Sequence, residues 1–317
     1  MDSARTGDRG LLPRLTLHVL LLCAAASLMR GGHGGQPPPA LPSSPQGDMA
    51  ATLVVRSRVI AALTPSQPLP ALDHELDALL LPTLNVTGMW PDVQYDAGGR
   101  SWWGAAEHLR RTLLLASAFN SPHSSHHLSQ RVLAAATAAF HWWLRTDPQN
   151  SNWWWMQFGV PRIVCKILLL LPEQRAQPLL PLAEPLLART PESLAAHWAG
   201  CNRVWFATIH VLRGAIERNS TRLGFAFPVA HSTIVLSPLT SDGIQTDGSF
   251  HQHGSGTRRE LYSGWGYGAI FTTNVLVLES YASGTAFAMS NSTWETFAHF
   301  VLDGQVCEKR LFCAIFC

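Results

Sequence analysis

Leu128, Val132, Ala136, Phe140 and Leu144 put an apolar side chain at every fourth residue, and this period constrains the chain more than any other feature. Residues four apart share one face of a helix, so the run predicts a long amphipathic helix ending before Asp147-Pro148. The pattern recurs. Leu109, Leu113 and Ala116 form the stripe of a helix predicted over Trp103–Phe119, with Arg110 and Arg111 on its opposite side. Trp205, Ile209, Leu212 and Ile216 do the same for about Gly200–Arg218, and Phe271, Val275 and Leu278 for a helix starting at Tyr267. Ala50–Leu63, Arg162–Leu171 and Ser292–Leu302 read as further helices, with a short leucine-rich stretch at Leu69–Pro82. Pro161 suits a first helical position, and Thr190-Pro191 reads as an N-cap followed by proline. Strand signals are weak, Ser232–Leu236 being the best. Alternating helices of this kind predict an all-α fold, with polar loops around Gly88–Gly104 and Asn219–Tyr267 lining one face.

A core of that size is within reach of 317 residues. Only 14% of them are charged and 12 are Trp, a balance that argues against disorder and against a nucleic-acid partner. The net charge of +2 is compatible with an anionic ligand. Arg5, Arg9 and Arg14 precede the apolar run Leu15–Met29, and Ala24-Ala25-Ala26 supplies small residues for cleavage. Residues 1–30 are therefore expected to be a secretory signal and 31–48, rich in Pro, Gly and Ser, a linker. No second run of membrane-spanning length follows, so no stable membrane association is expected. Sequons at Asn85, Asn219 and Asn291 agree with a secreted, extracellular glycoprotein. Cys165 and Cys201 lie in apolar helical surroundings and read as buried small hydrophobes, whereas Cys307, Cys313 and Cys317 crowd the last residues.

Candidate chemistry concentrates in the polar, glycine-rich stretch Asp242–Tyr267, since loops on a rigid scaffold are where reactive groups gather. Asp242 and Asp247 could form the carboxylate pair of a glycosidase, but each directly precedes Gly, which equally suits a turn. His251 and His253 fall on one face if the segment is extended; a metal would need a third ligand such as Asp247, and none is expected. His123, His126 and His127 read as a solvated loop. Trp153-Trp154-Trp155 lie between Asn150-Ser151-Asn152 and Gly159, on a loop entering a helix, where indoles can either stack on sugar rings or pack in a core. Trp142-Trp143, inside a helix, read as core. Asn202, His253 and Tyr267 together suit removal of a proton beside a carboxylate: an amide at a helix N-terminus favours an anion, and a Tyr–His pair can move a proton.

Three segments resemble, in the right order, the N-terminal helical domain of polysaccharide lyase family 8, the hyaluronate, chondroitin AC and xanthan lyases. They are Asn152-Trp-Trp-Trp-Met-Gln-Phe-Gly-Val-Pro-Arg162, Gly200-Cys-Asn-Arg203 and Asp247-Gly-Ser-Phe-His-Gln-His253 with Gly264-Trp-Gly-Tyr-Gly268. The resemblance runs from about Thr52 to Gln305 and implies an incomplete (α/α) toroid over residues 49–305 that needs no cofactor. It implies β-elimination on a uronic-acid-containing polysaccharide. Asn202 would hold the uronate carboxylate, His253 would assist or act as base, and Tyr267 would take the proton, protonate the leaving oxygen, or both. Trp153 and Trp154 match the family's aromatic patch, and Arg162 and Arg203 are the candidates for meeting acidic groups. The stretch between His253 and Tyr267 carries an inserted Arg258-Arg259-Glu260, and Tyr262 is the nearer tyrosine, although Tyr267 holds the Tyr-Gly position. Family members continue into a further catalytic arginine and β-sandwich domains. Here 306–317 is an atypical cysteine-rich tail in which Arg310 is a poor substitute, so a C-terminally truncated form is expected. The alternative expectation is a catalytically impaired, carbohydrate-binding remnant.

Overall fold

The computed structural model describes residues 45–68, 70–99, 102–237, 241–253 and 266–306. The expected signal, Arg258-Arg259-Glu260, Tyr262, Arg310 and the three terminal cysteines lie outside them, as does all but the end of the linker. The all-α expectation is met: the chain is mostly helical, with one small antiparallel ribbon. None of the described helices is long and apolar enough to cross a membrane. The described chain divides into two compact units, one of residues 45–197 and 205–226, the other of 198–204 and 227–306.

The first unit holds α1 (Pro45–Leu63), α2 (Pro70–Glu75), α3 (Leu81–Thr83), α4 (Ala106–Asn120), α5 (Gln130–Thr146), α6 (Val160–Leu170), α7 (Glu173–Ala176) and α8 (Leu180–Leu187). α4 packs against both α5 and α6, and α6 against α8. The four-residue stripe of α5 does its work from Val132 on: Val132, Ala136, Phe140 and Leu144 are buried. Leu128 does not belong to it. Leu128 has a φ of 56° and is 59% exposed, because Ser129 caps α5 by accepting a hydrogen bond from the Val132 N–H. α1 starts at Pro45, so the last linker residues form its first turn, where proline costs no hydrogen bond. α4 starts at Ala106 instead of Trp103, since Trp103 is held in a bridge with Gly98.

Arg111 is also a correction. It is buried, not opposite the core, with its guanidinium bidentate on Asp92 (2.9 and 2.7 Å), its Nε on Glu107 (2.9 Å) and its face over Trp90 (5.6 Å). Three bonds to two carboxylates offset the desolvation of the charge. One turn away in sequence, His108 lies against the rings of Trp90, Trp142 and Trp143. Its Nε2 donates to the Ala139 carbonyl (2.8 Å), which leaves Nδ1 to accept from the Tyr95 hydroxyl (2.8 Å). These two residues of α4 fasten the loop of Trp90, Asp92 and Tyr95 to the helices.

Trp153 and Trp154 are helical, not in a loop. They open a run that continues through a π-helical turn, Trp155–Gly159, into α6. Pro161 therefore sits inside the run and lacks the N–H that would bond the Gln157 carbonyl. Thr190 supplies it: its hydroxyl donates to Gln157 O at 2.6 Å, so Thr190 is a side-chain brace for that helix and not the N-cap expected.

The second unit begins at the first turn of α9 (Gly200–Glu217) and includes the end of α10 (Ser220–His231), strands β1 (Gly243–Ile244) and β2 (Phe250–His251), α11 (Tyr267–Ala282) and α12 (Asn291–His299), which a π-helical Phe300–Val306 extends. α10 replaces much of the expected polar loop, and Ser232–Leu236 contains only one isolated bridge, Leu236 with Ile244. Phe250, Phe271, Phe297 and Phe300 form its aromatic core. The Asp247-Gly248 turn and Gly304 meet so closely that a Cβ on Gly304 would lie 2.1 Å from the Gly248 carbonyl oxygen.

Burial holds His108 neutral, lowering its pKa from 6.5 to about 4. Between those values the unfolded chain binds the extra proton, so stability rises with pH across this window and is lost on acidification. Lowering the pH from 6.5 to about 5 should cost roughly 2 kcal/mol through His108 alone. Urea unfolding at a series of pH values checks this. His108→Gln should be less stable than the parent at pH 7, with the gap narrowing toward pH 5; a constant gap would contradict it.

Candidate active site

The predicted residues fall into one group in each unit. In the second unit, the strand ends at His251, and this decides the fate of the two histidines. His251 is buried; His253 is exposed and takes a φ of 62°, so they do not share a face as an extended segment would require. A left-handed φ is uncommon outside glycine, and such residues gather where a site over-determines the backbone. His253 is turned onto Tyr267, the first residue of α11: its Nε2 is 3.1 Å from the Tyr267 Oη, with the rings edge to face. A proton can pass between these two atoms.

Gln252, between the histidines, is what holds them. It is buried, its Oε1 accepts from the Cys201 backbone N–H (2.8 Å), and its Nε2 donates to Asp242 Oδ2 (2.8 Å). Cys201 Sγ in turn donates to the Tyr267 carbonyl (3.2 Å). The first turn of α9, which carries Asn202, is thus tied to both His253 and Tyr267 through one amide and one thiol. Gly200 makes room for this: its φ is 52°, and a Cβ there would lie 2.3 Å from Gln252 Oε1. In the sequence Gln252 carries no signal of this role, and Gly200 stands out only as part of a motif. The available signal was a lone amide amid the His-Gln-His triplet, which says nothing of its partner 51 residues earlier.

Asn202 is buried at the start of α9, its N–H donating to the Ala199 carbonyl. The next residue, Arg203, is half-buried and its Nε donates to the Trp198 carbonyl at 2.5 Å. The two aspartates have turn and bridging roles. Asp247 Oδ1 accepts from the Ser249 hydroxyl (2.7 Å) and N–H (2.9 Å), bonds that hold its carboxyl below the usual range, and Asp242 is the anchor of Gln252. Cys201 and Cys165 are buried free thiols, and burial pushes both pKa values up. Among the described residues no three His, Cys, Asp or Glu side chains cluster to hold a metal.

In the first unit, Trp153 is 39% exposed and meets Phe158 edge-on. Trp154 is half-buried, edge-on to Trp155 and Trp205, and the Arg162 guanidinium lies 5.8 Å from the centre of one of its rings. The aromatic platform and a cation are therefore one assembly.

These features have counterparts among known proteins. The family model of the polysaccharide lyase family 8 N-terminal alpha-helical domain matches residues 55–305. The structure is similar to a chondroitinase AC lyase solved as enzyme–oligosaccharide complexes, with a TM-score of 0.69 and 24% identity over 79% of this chain and 36% of that one. It is similar to the Streptomyces coelicolor A3 chondroitin AC lyase in complex with chondroitin sulphate (TM-score 0.62, 18% identity, 91% of this chain, 36% of that one). Paenibacillus xanthan lyase follows at a TM-score of 0.60 and 18% identity, over 81% of this chain and 26% of that one. No curated protein matches the chain significantly. The chain spans about a third of the length of the solved lyases, and at these identities the likeness carries the fold. With the family model covering most of its length, the chain belongs to polysaccharide lyase family 8, whose N-terminal helical domain it represents.

Proposed function

We propose that the protein is a secreted lyase that cleaves an acidic, uronic-acid-containing polysaccharide by β-elimination. The observation that carries this reading is the contact of His253 Nε2 with Tyr267 Oη at 3.1 Å. In the proposed reaction Asn202 hydrogen-bonds the uronate carboxylate, so that negative charge developing on it as C5 loses its proton is stabilised. Either Tyr267, assisted by His253, takes the C5 proton and returns one to the leaving glycosidic oxygen, or His253 takes the C5 proton and Tyr267 gives its own to that oxygen. The C5–H and C4–O bonds break, a C4=C5 double bond forms, and the product carries an unsaturated uronide end. Tyr267 also stands at the N-terminal, positive end of α11, which favours negative charge passing through its oxygen. Trp153 and the Trp154–Arg162 pair would seat the sugar chain, the indoles on its apolar ring faces and the guanidinium on an acidic group. Arg203 would meet a further acidic group. The similar lyases solved with an oligosaccharide and with chondroitin sulphate support an acidic polysaccharide as substrate.

Secretion is part of the proposal. At Asn85 the side-chain oxygen accepts from the Thr87 hydroxyl (2.7 Å) and N–H (3.0 Å), and the neighbouring Val86 is fully exposed, so this sequon is presented to solvent. Asn291 is exposed at the start of α12; Asn85 and Asn219 are both half-buried, but Asn85 lies in a loop whereas Asn219 caps α10 through the Arg222 N–H. Asn85 and Asn291 are thus the better glycan acceptors.

The secreted protein should generate ultraviolet-absorbing unsaturated ends from hyaluronan or chondroitin, and Tyr267→Phe should abolish them while polysaccharide binding is retained. A fully active Tyr267→Phe would sink the mechanism, and a parent that binds without producing absorbance would restrict the chain to binding. Gln252→Leu should lower kcat at least tenfold with little change in KM, since it displaces the catalytic groups and not the aromatic platform; an equal rise in KM would argue against a positioning role. Expressed through a secretory pathway, the protein should lose one deglycosidase-sensitive mass step with Thr87→Ala and one with Thr293→Ala; unchanged mass in both would contradict glycosylation at Asn85 and Asn291.

A further inference from the structure

Trp154 and Arg162 are eight residues apart, yet the guanidinium lies 5.8 Å from the centre of a Trp154 ring. In an unbroken α-helix eight residues turn the chain through about 800°, which leaves two side chains roughly 80° apart around the axis. The π-helical turn Trp155–Gly159 lies between them and takes up one extra residue. Seven effective steps turn through about 700°, within roughly 20° of two full turns, and bring both side chains to one face. The Trp154–Arg162 contact is thus a product of the π-turn. The indoles also rest on that turn. A Cβ on Gly159 would lie 2.6 Å from Trp155 Cε3 and 3.2 Å from Trp154 Cζ3, although its φ of −59° suits any residue. Where Trp154 points therefore depends on the backbone of the π-turn.

We infer that Thr190 is the positioning residue of the aromatic platform: by holding the Gln157 carbonyl it keeps the π-turn in the register that presents Trp154, with Arg162, to the sugar chain. The role rests on the polysaccharide reading above and adds to it a residue that acts through Trp154. In the π-turn the Val160 N–H bonds the Trp155 carbonyl, five residues back. Regular α-helical bonding would give the Gln157 carbonyl the N–H of residue 161, and Pro161 has none. The Thr190 hydroxyl donates there instead, at 2.6 Å. Without it the carbonyl loses that partner, and the turn gains by shifting toward another N–H along the chain. Such a shift rotates Trp154 relative to α6. Thr190 is itself a fixed point. It is buried, its N–H donates to the Leu187 carbonyl (3.3 Å), and the adjoining Arg189 is ion-paired with Asp147 at the end of α5. The start of the run is pinned separately, by Asn152 Oδ1 accepting from the Trp154 N–H at 3.0 Å. The π-turn between these two anchors is the part that Thr190 governs.

The test is equilibrium binding of hyaluronan to the whole protein, a readout that does not depend on turnover. Thr190→Val keeps the shape of the side chain and removes the donor; urea unfolding checks that the fold is retained. It should bind about tenfold more weakly than the parent, with an altered near-ultraviolet circular dichroism of the indoles, while Thr190→Ser should stay within about twofold. Adding Pro161→Ala to Thr190→Val should restore binding, because alanine supplies the N–H that the Gln157 carbonyl lacks. Combined with Trp154→Ala, Thr190→Val should weaken binding little further, since the two act as one unit. Thr190→Val that binds as the parent does, or that weakens binding by the same factor with and without Trp154, overturns the inference and leaves the polysaccharide reading intact. Trp154→Ala with unchanged affinity overturns the platform and the role of Thr190 together, and a parent that does not bind overturns the polysaccharide reading as well.

Discussion

The candidate active site depends on one buried amide. Gln252 spends its oxygen on the Cys201 N–H and its nitrogen on Asp242, and in doing so fixes the strand end, the first turn of α9 and the turn before β1 at once. A buried donor or acceptor left without its partner costs about 1–3 kcal/mol, so the arrangement is strongly determined once those groups are enclosed. The fit leaves no slack, because the α9 backbone approaches the amide where any residue but glycine would collide. Asp242 acquires its meaning here. As a catalytic carboxylate it would need to face substrate; as the acceptor for Gln252 Nε2 it is committed to the scaffold.

A comparable economy holds the aromatic loop of the first unit. As the neutral imidazole with its proton on Nε2, His108 satisfies the Tyr95 hydroxyl and the Ala139 carbonyl together, and burial among the surrounding indoles keeps it neutral. Arg111, beside it on α4, balances its charge on Asp92 and Glu107. The platform formed by Trp153 and Trp154 rests on a different device. The π-turn at Trp155–Gly159 adds a residue to the helix, and Pro161 strips a hydrogen bond from it. Thr190 repairs the Gln157 carbonyl from outside the helix. Irregular turns of this kind often accompany sites, since they aim side chains where a regular helix could not.

How much of this was legible follows from the range of the forces involved. The stripes of α5, α9 and α11 were readable because burial of an amphipathic face is a local, periodic signal, and Phe271, Val275 and Leu278 are buried as the period requires. The residues that meet across the site, His253 and Tyr267, were readable through a motif and not through periodicity. α10 was hidden by Asn219, Gly224 and Pro228, all turn residues by composition; burial of Leu223, Ala226, Phe227 and Ala230 overrides them. The sequence places Arg111 on the surface because its partner Asp92 lies 19 residues earlier, and no window on α4 contains it. Trp153-Trp154-Trp155 looked like a loop because Asn152 and Gly159 flank them, yet Asn152 bonds the Trp154 N–H as helix-starting residues do.

The pair His251 and His253 shows how little separates a core residue from an exposed one. Two residues apart in an extended strand, they would point the same way and invite a shared role. The ladder stops at His251, paired with Gly243, and that histidine goes into the core. Over the next two residues Gln252 turns inward to its partners and His253 takes up a left-handed backbone, which brings its ring out and onto Tyr267. Had the strand continued through His253, alternation would have carried that ring inward beside His251, away from the Tyr267 hydroxyl. The His253–Tyr267 contact is thus a consequence of where the strand ends, and the strand ends where Gln252 finds the helix.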